Sequence, residues 1–197
     1  MTTLANAREE RIDSTKGIRI FVRSWHPESK PRAVVVICHG VNSHSGQYLW
    51  VGEQLAASGL AAYALDLRGR GRSDGERFYV EDVADYVSDV AGTIALAKSR
   101  YPGLPVFLLG HSAGGVVSDE RLREEFPGVT LPVLILHGTG DKATVCHGSE
   151  FFHKTAGSKD KTLRLYEGHY HDLLNDVGKH GVLADIKAWM DVHVRAA

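Results

Sequence analysis

The sequence predicts an α/β fold, a mostly parallel sheet with helices on both faces. Two observations carry this. Short β-rich runs alternate with longer helical patterns, which is how βαβ units read. One run, Ala33–Cys38 (AVVVIC), is apolar without interruption, as a strand covered on both faces requires.

Taken in order, Gly17–Trp25 (GIRIFVRSW) alternates like an early, half-exposed strand, and Ala33–Cys38 follows as a buried one. Leu60–Leu67, Val106–Leu109, Val133–His137 and Thr162–Tyr166 bring the expectation to about six strands. Between them, Val80, Val83, Val87, Val90, Ile94 and Ala97 recur at three- and four-residue steps. Val182, Leu183, Ile186, Trp189, Met190 and His193 do the same near the C-terminus. Both stripes read as helix faces used for packing.

With 197 residues the chain has the size of one domain, expected to span 1–197, and a domain of that size buries roughly 70% of its unfolded surface. Hydrophobic residues at 43% and charged residues at 24% exclude a disordered or fibrous chain. The net charge of -1 gives no long-range attraction for nucleic acid, and the short basic run Arg68–Arg72 does not reverse it. Cys38 and Cys146 lie too far apart to suggest a disulfide framework and read as free thiols in a reducing compartment. The N-terminus lacks the apolar core of a signal peptide. No run approaches the ~20 apolar residues of a transmembrane segment, so the expected location is cytoplasmic.

Gly110-His111-Ser112-Ala113-Gly114 fits G-x-S-x-G, with the strand FLLG before it and a helical pattern after it. In that context the glycines permit a strained strand-to-helix turn that projects the serine hydroxyl. The plainer alternative is a glycine turn bearing a surface serine. A serine needs a base to take its proton, and an acid to hold that base. Asp141 follows the strand VLILHGTG, and the loop after TLRLYEG carries His169, His171 and Asp172. Serine, acid and histidine therefore fall in the order this chemistry needs, with either histidine available as base. A tetrahedral intermediate also needs two amide donors. The N–H of Ala113 is one candidate, and Val41, in the loop His39–Tyr48, supplies the other.

The helical pattern after Ser112 breaks. Ala113, Val116 and Val117 start a stripe, but the apolar positions return out of phase at Leu122 and Phe126, just after Ser118-Asp119-Glu120. Serine or aspartate followed by an acidic turn is how a helix begins, so two helical pieces abut at 118–119.

Five segments in order resemble the monoacylglycerol lipase and lysophospholipase branch of the α/β-hydrolases. They are HGxxxHSGxY at His39–Tyr48, DxRGxGxS at Asp66–Ser73, GHSxGG at Gly110–Gly115, HGxxD at His137–Asp141 and GxxH at Gly168–His171. The resemblance implies a carboxylic ester hydrolase with Ser112 as nucleophile, His171 rather than His169 as base, and Asp141 as its acid. It also implies Val41 and Ala113 as oxyanion donors, with His39, Gly40 and His111 beside the substrate, and neither cofactor nor metal. Relatives carry an acidic and a basic residue where Ser43 and Gln47 stand here, which bears on head-group choice.

The resemblance further implies that a lid and one sheet strand are missing, with the deletion junction at 118–119. Loss of the lid predicts exposed apolar surface near the site, hence self-association, and a preference for short esters. Other readings are weaker. Gly69–Asp74 (GRGRSD) lacks the last glycine of a dinucleotide fingerprint, and His169, His171 and Asp172 have no matching cluster for a metal. The rival from a different class is a catalytically silent truncated hydrolase fold acting as a binding protein.

Overall fold

The computed structural model describes residues 7–112 and 126–196. The expected donor Ala113 and the expected junction at 118–119 lie outside the described residues. Those described divide into two compact units, 7–112 and 126–195.

The first unit is a five-stranded mixed sheet in the order β1-β2-β4-β3-β5. Its strands are β1 (Arg8–Asp13), β2 (Arg19–Trp25), β3 (Ala33–Cys38), β4 (Leu60–Leu65) and β5 (Val106–Gly110). Every residue of β3 and β4 is buried, as the unbroken apolar runs predict. Each large aliphatic side chain so buried is worth about 1.5–3 kcal/mol. One face of the sheet carries Ile20, Val22, Val34, Val36, Tyr63 and Leu65 in a single cluster.

Sequence reasoning missed β1. Its REERID is five charged residues around one isoleucine, so no apolar alternation betrays a strand. It pairs antiparallel with β2 at the sheet's margin, where a charged strand resists further pairing.

Helix α1 (Leu49–Ala57) lies against Trp25 through Gly52. A Cβ there would stand 2.2 Å from the indole ring, so only glycine admits this approach. Helix α2 (Val83–Arg100) starts at Asp82, whose carboxylate accepts the Ala84 N–H at 2.9 Å. The packing stripe expected on α2 needs correction. Ala97 is buried, and Val90 and Ile94 pack on the core, but Val83 and Val87 are 67% and 63% exposed. The inward face of the first two turns belongs instead to Asp85 and Asp89. Their carboxylates take the buried Arg68 guanidinium at 3.0 and 2.7 Å.

The sheet register positions the site. β5 runs parallel to β3 with Cys38 opposite Gly110, so the loops leaving both strands start side by side. The His111 N–H then donates to the Cys38 carbonyl at 3.0 Å, carrying the pairing one residue into the turn.

The second unit holds β6 (Val133–Gly138) and β7 (Lys161–Tyr166), which pair in parallel with Gly138 opposite Tyr166. Helix α3 (Cys146–Thr155) packs on both strands. The aromatic ring of Phe126 meets Phe152 edge-on at 4.7 Å. In helix α4 (Lys179–Ala196), Val182, Leu183, Ile186 and Met190 are buried, as their spacing predicts.

Candidate active site

In the first unit, the serine turn rests directly on the loop after β3. Ser112 has φ of +58°, the left-handed region that a non-glycine residue enters only where its surroundings impose it. Gly40 is the surface it lies on. A methyl group on Gly40 would stand 2.9 Å from the Ser112 Cβ and 3.2 Å from the His111 carbonyl oxygen. Both glycine and a bent serine are therefore needed for the approach.

His39 holds this loop from below. It is 1% exposed, and its Nε2 accepts the Leu67 N–H at 3.0 Å. A backbone N–H can only donate, so that bond fixes the tautomer with hydrogen on Nδ1, which donates to the Gly40 carbonyl at 2.7 Å. Burial depresses the pKa of the ring, and the acceptor role at Nε2 needs the neutral form. The Gly40 carbonyl and the Val41 N–H belong to one peptide group, so His39 grips the peptide that carries the expected donor. Among the described residues no acceptor takes the Val41 N–H. His39 and Gly40, expected beside the substrate, are buried and both line the apolar cavity beside the loop, and His111 is half-buried.

The segment Asp66–Ser73 braces the same loop. Asp66 accepts the Ser45 N–H at 2.6 Å and the Arg72 N–H at 2.7 Å. Gly71, at φ of +46°, leaves room for that carboxylate, since a Cβ would meet Asp66 Oδ2 at 2.1 Å. Arg70 Nε donates to the Val41 carbonyl at 2.6 Å. The nearby Cys38 thiol is pushed up to about 11 by burial, which keeps it protonated and unreactive at neutral pH. Beside the loop opens an apolar cavity of about 610 Å³ whose lining includes Gly40, Val41, Val83, Val87 and Leu108.

In the second unit, Asp141 reaches His171. Asp141 Oδ2 lies 2.7 Å from His171 Nδ1, with the acid side chain 3% exposed and the histidine 29%. The same carboxylate accepts the Ala143 N–H at 2.7 Å, the Thr144 N–H at 3.0 Å and the Thr144 hydroxyl at 2.7 Å. Burial works to raise its pKa, but the bonds from His171, Thr144 and Ala143 outweigh it and hold the carboxyl well below the usual range. An ionised Asp141 fixes the Nδ1–H tautomer of His171 and leaves the lone pair on Nε2.

The acid and histidine loops are laced together. The Thr139 N–H donates to the Tyr166 carbonyl at 2.9 Å, and the Gly140 N–H to the His169 carbonyl at 2.9 Å. Gly138 makes this possible, since a Cβ would stand 2.3 Å from the His169 carbonyl oxygen. Within this unit the two histidines face different carboxylates. His169 directs its ring toward Asp176, 3.6 Å away, and against Tyr166, while His171 takes Asp141.

Sequence reasoning missed Thr144, His137 and Arg70. His137 Nε2 lies 3.4 Å from Asp141 Oδ2, while its Nδ1 meets the Ser149 hydroxyl at 2.7 Å. The signal for Thr144 was present: an aspartate with threonine three residues on is a turn that side chains close.

The family model for serine aminopeptidase S33 matches residues 29–120 and 118–178, two stretches that meet at 118–120. The chain is 26% identical over 273 residues to a monoacylglycerol lipase of Mycolicibacterium smegmatis, with 94% of this chain and 98% of that protein covered. To human monoglyceride lipase it is 26% identical over 271 residues, covering 92% of this chain and 89% of that one. The aligned stretch of 273 exceeds the 197 residues present here by 273 − 197 = 76, so at least that much of the relative has no counterpart. Among solved structures, a soluble variant of monoglyceride lipase from Saccharomyces cerevisiae matches with a TM-score of 0.79 at 19% identity, covering 98% of this chain and 96% of that one. The chain belongs to the serine aminopeptidase S33 family of the α/β-hydrolases and is a carboxylic ester hydrolase similar to the monoacylglycerol lipases.

Proposed function

We propose that the chain cleaves acyl esters through a Ser112–His171–Asp141 triad and an acyl-enzyme intermediate. Ser112 Oγ attacks the ester carbonyl as His171 Nε2 takes its proton. The oxyanion that forms is met by the N–H groups of Val41 and Ala113. On collapse, the imidazolium returns the proton to the leaving alcohol, and water then repeats both steps to release the acid. Asp141 stays ionised throughout, orienting His171 and stabilising its charged form.

The observation that carries this reading is the Asp141–His171 bond, an acid held ionised against one imidazole nitrogen. The left-handed backbone of Ser112 supports it as the nucleophile turn. The substrates proposed are monoacylglycerols, lysophospholipids or short acyl esters. The two-part family match meeting at 118–120 supports a chain without a lid, whose substrates are the shorter and more soluble ones.

The test is a serine-directed fluorophosphonate. Labelling of the folded chain that disappears in Ser112→Ala is the expected result. A folded chain that does not label supports the silent binding protein instead.

A further inference from the structure

We propose that Arg70 is a positioning residue for the oxyanion loop, acting through the Val41 carbonyl. The inference rests on the reading of Val41 as an oxyanion donor. Val41 sits between two peptide groups. The first carries its N–H and is held by His39 through the Gly40 carbonyl. The second carries its carbonyl, which accepts from Arg70 Nε at 2.6 Å. With both planes held, rotation about the Val41 Cα is stopped on either side, and the N–H keeps one direction.

Farther along, Asp66 holds the same loop through the Ser45 N–H, but around Val41 the chain is looser. Val41 is 54% exposed, Asn42 is exposed too, and the turn is closed by one long bond, Ser43 N–H to the Gly40 carbonyl at 3.3 Å. Arg70, by contrast, is built in. It is 7% exposed, its guanidinium lies over the Phe78 ring at 4.9 Å, and its Nη1 donates to the Gly69 carbonyl at 3.3 Å. Its own backbone N–H donates to the Leu67 carbonyl at 2.9 Å. The planar, permanently charged guanidinium gives a directed bond that a lysine ammonium does not reproduce. The basic run Arg68–Arg72, unremarkable as sequence, thus splits its work. Arg68 ties α2 to the sheet and Arg70 ties down the loop.

The test compares wild type, Ser112→Ala, R70M and R70K by the rate constant of fluorophosphonate labelling per labelled chain, and by kcat and KM on p-nitrophenyl butyrate. R70M is expected to slow labelling and kcat about 10- to 100-fold, with KM within about twofold, because a misplaced donor weakens transition-state binding. R70K should recover part of the loss. A purely structural role lowers the number of chains that label while leaving the rate per labelled chain unchanged, and that result overturns the proposal. If R70M gives no labelled chains, R70K decides: a rate about 3- to 10-fold below wild type is expected, and a rate equal to wild type overturns it. Absence of labelling in wild type, or labelling that survives Ser112→Ala, sinks the hydrolase reading itself. A labelled wild type, a silent Ser112→Ala and an unchanged R70M sink only the role of Arg70.

Discussion

Asp141 and Thr144 share two hydrogen bonds, the Thr144 N–H on Oδ1 at 3.0 Å and its hydroxyl on Oδ2 at 2.7 Å, so the turn itself holds the carboxylate that meets His171. Replacing Asp141 by Asn is expected to cut kcat about 10³- to 10⁴-fold, since the amide favours the wrong imidazole tautomer. Thr144→Val should cost far less, about 3- to 10-fold, because two amides and His171 still hold the carboxylate. Steady-state kinetics on p-nitrophenyl butyrate check both. An Asp141→Asn variant within tenfold of wild type would refute the assigned role.

The same carboxylate shapes the acid limit of stability. Its folded pKa lies below the unfolded value, so its contribution is complete above about pH 4–5 and is lost as pH falls through the folded pKa. Urea unfolding of wild type from pH 7 to about pH 2 should show stability level above about pH 5 and falling below it. Asp141→Asn should flatten that fall, and identical slopes would count against it.

His39 makes an independent prediction with the opposite kind of group. Burial depresses its pKa, so the folded chain prefers the neutral ring. That contribution is present above the ordinary histidine pKa near ~6.5 and is lost as pH drops below it. His39→Asn keeps a donor for the Gly40 carbonyl but strands the buried Leu67 N–H. It should cost about 1–3 kcal/mol at pH 7, read from urea unfolding, with a weaker pH dependence between pH 7 and 5.

Much of this architecture was legible in the residues themselves. AVVVIC could be little other than a strand buried on both faces, and G-x-S-x-G between a strand and a helical pattern marked the serine turn. The acid and histidine loops were legible as strand-end loops in the right order, though the choice between His169 and His171 needed the family resemblance. What stayed hidden is what long-range pairing decides. β1 is charged and is a strand because β2 offers it a free edge. The exposed Val83 and Val87 follow from Arg68, whose partners Asp85 and Asp89 take the inward face of α2 and leave the valines outward. Arg70 reaches Val41 across a gap of 29 residues, and no local pattern announces that contact.

One exposed surface bears on solution behaviour, and the choice of ester bears on the proposed substrates. Phe78, Tyr79, Val83 and Val87 are each more than half exposed, an apolar surface that favours association between copies. Sedimentation is expected to show concentration-dependent assembly that Val83→Lys with Val87→Lys suppresses. A p-nitrophenyl series from acetate to palmitate should peak at short acyl chains, and a maximum at long chains would contradict the proposed preference for short esters.

Gly138 is a small residue with a large effect on how two loops meet. By letting the His169 carbonyl come close, it allows the acid loop and the histidine loop to be stitched to each other by their own backbones. The Asp141–His171 pair is thus held within the stretch from Val133 to His171. The bonds from Thr139 and Gly140 that join the two loops, and those from Ala143, Thr144 and His171 that hold Asp141, all come from residues in that stretch, so a change of length ahead of Val133 breaks none of them.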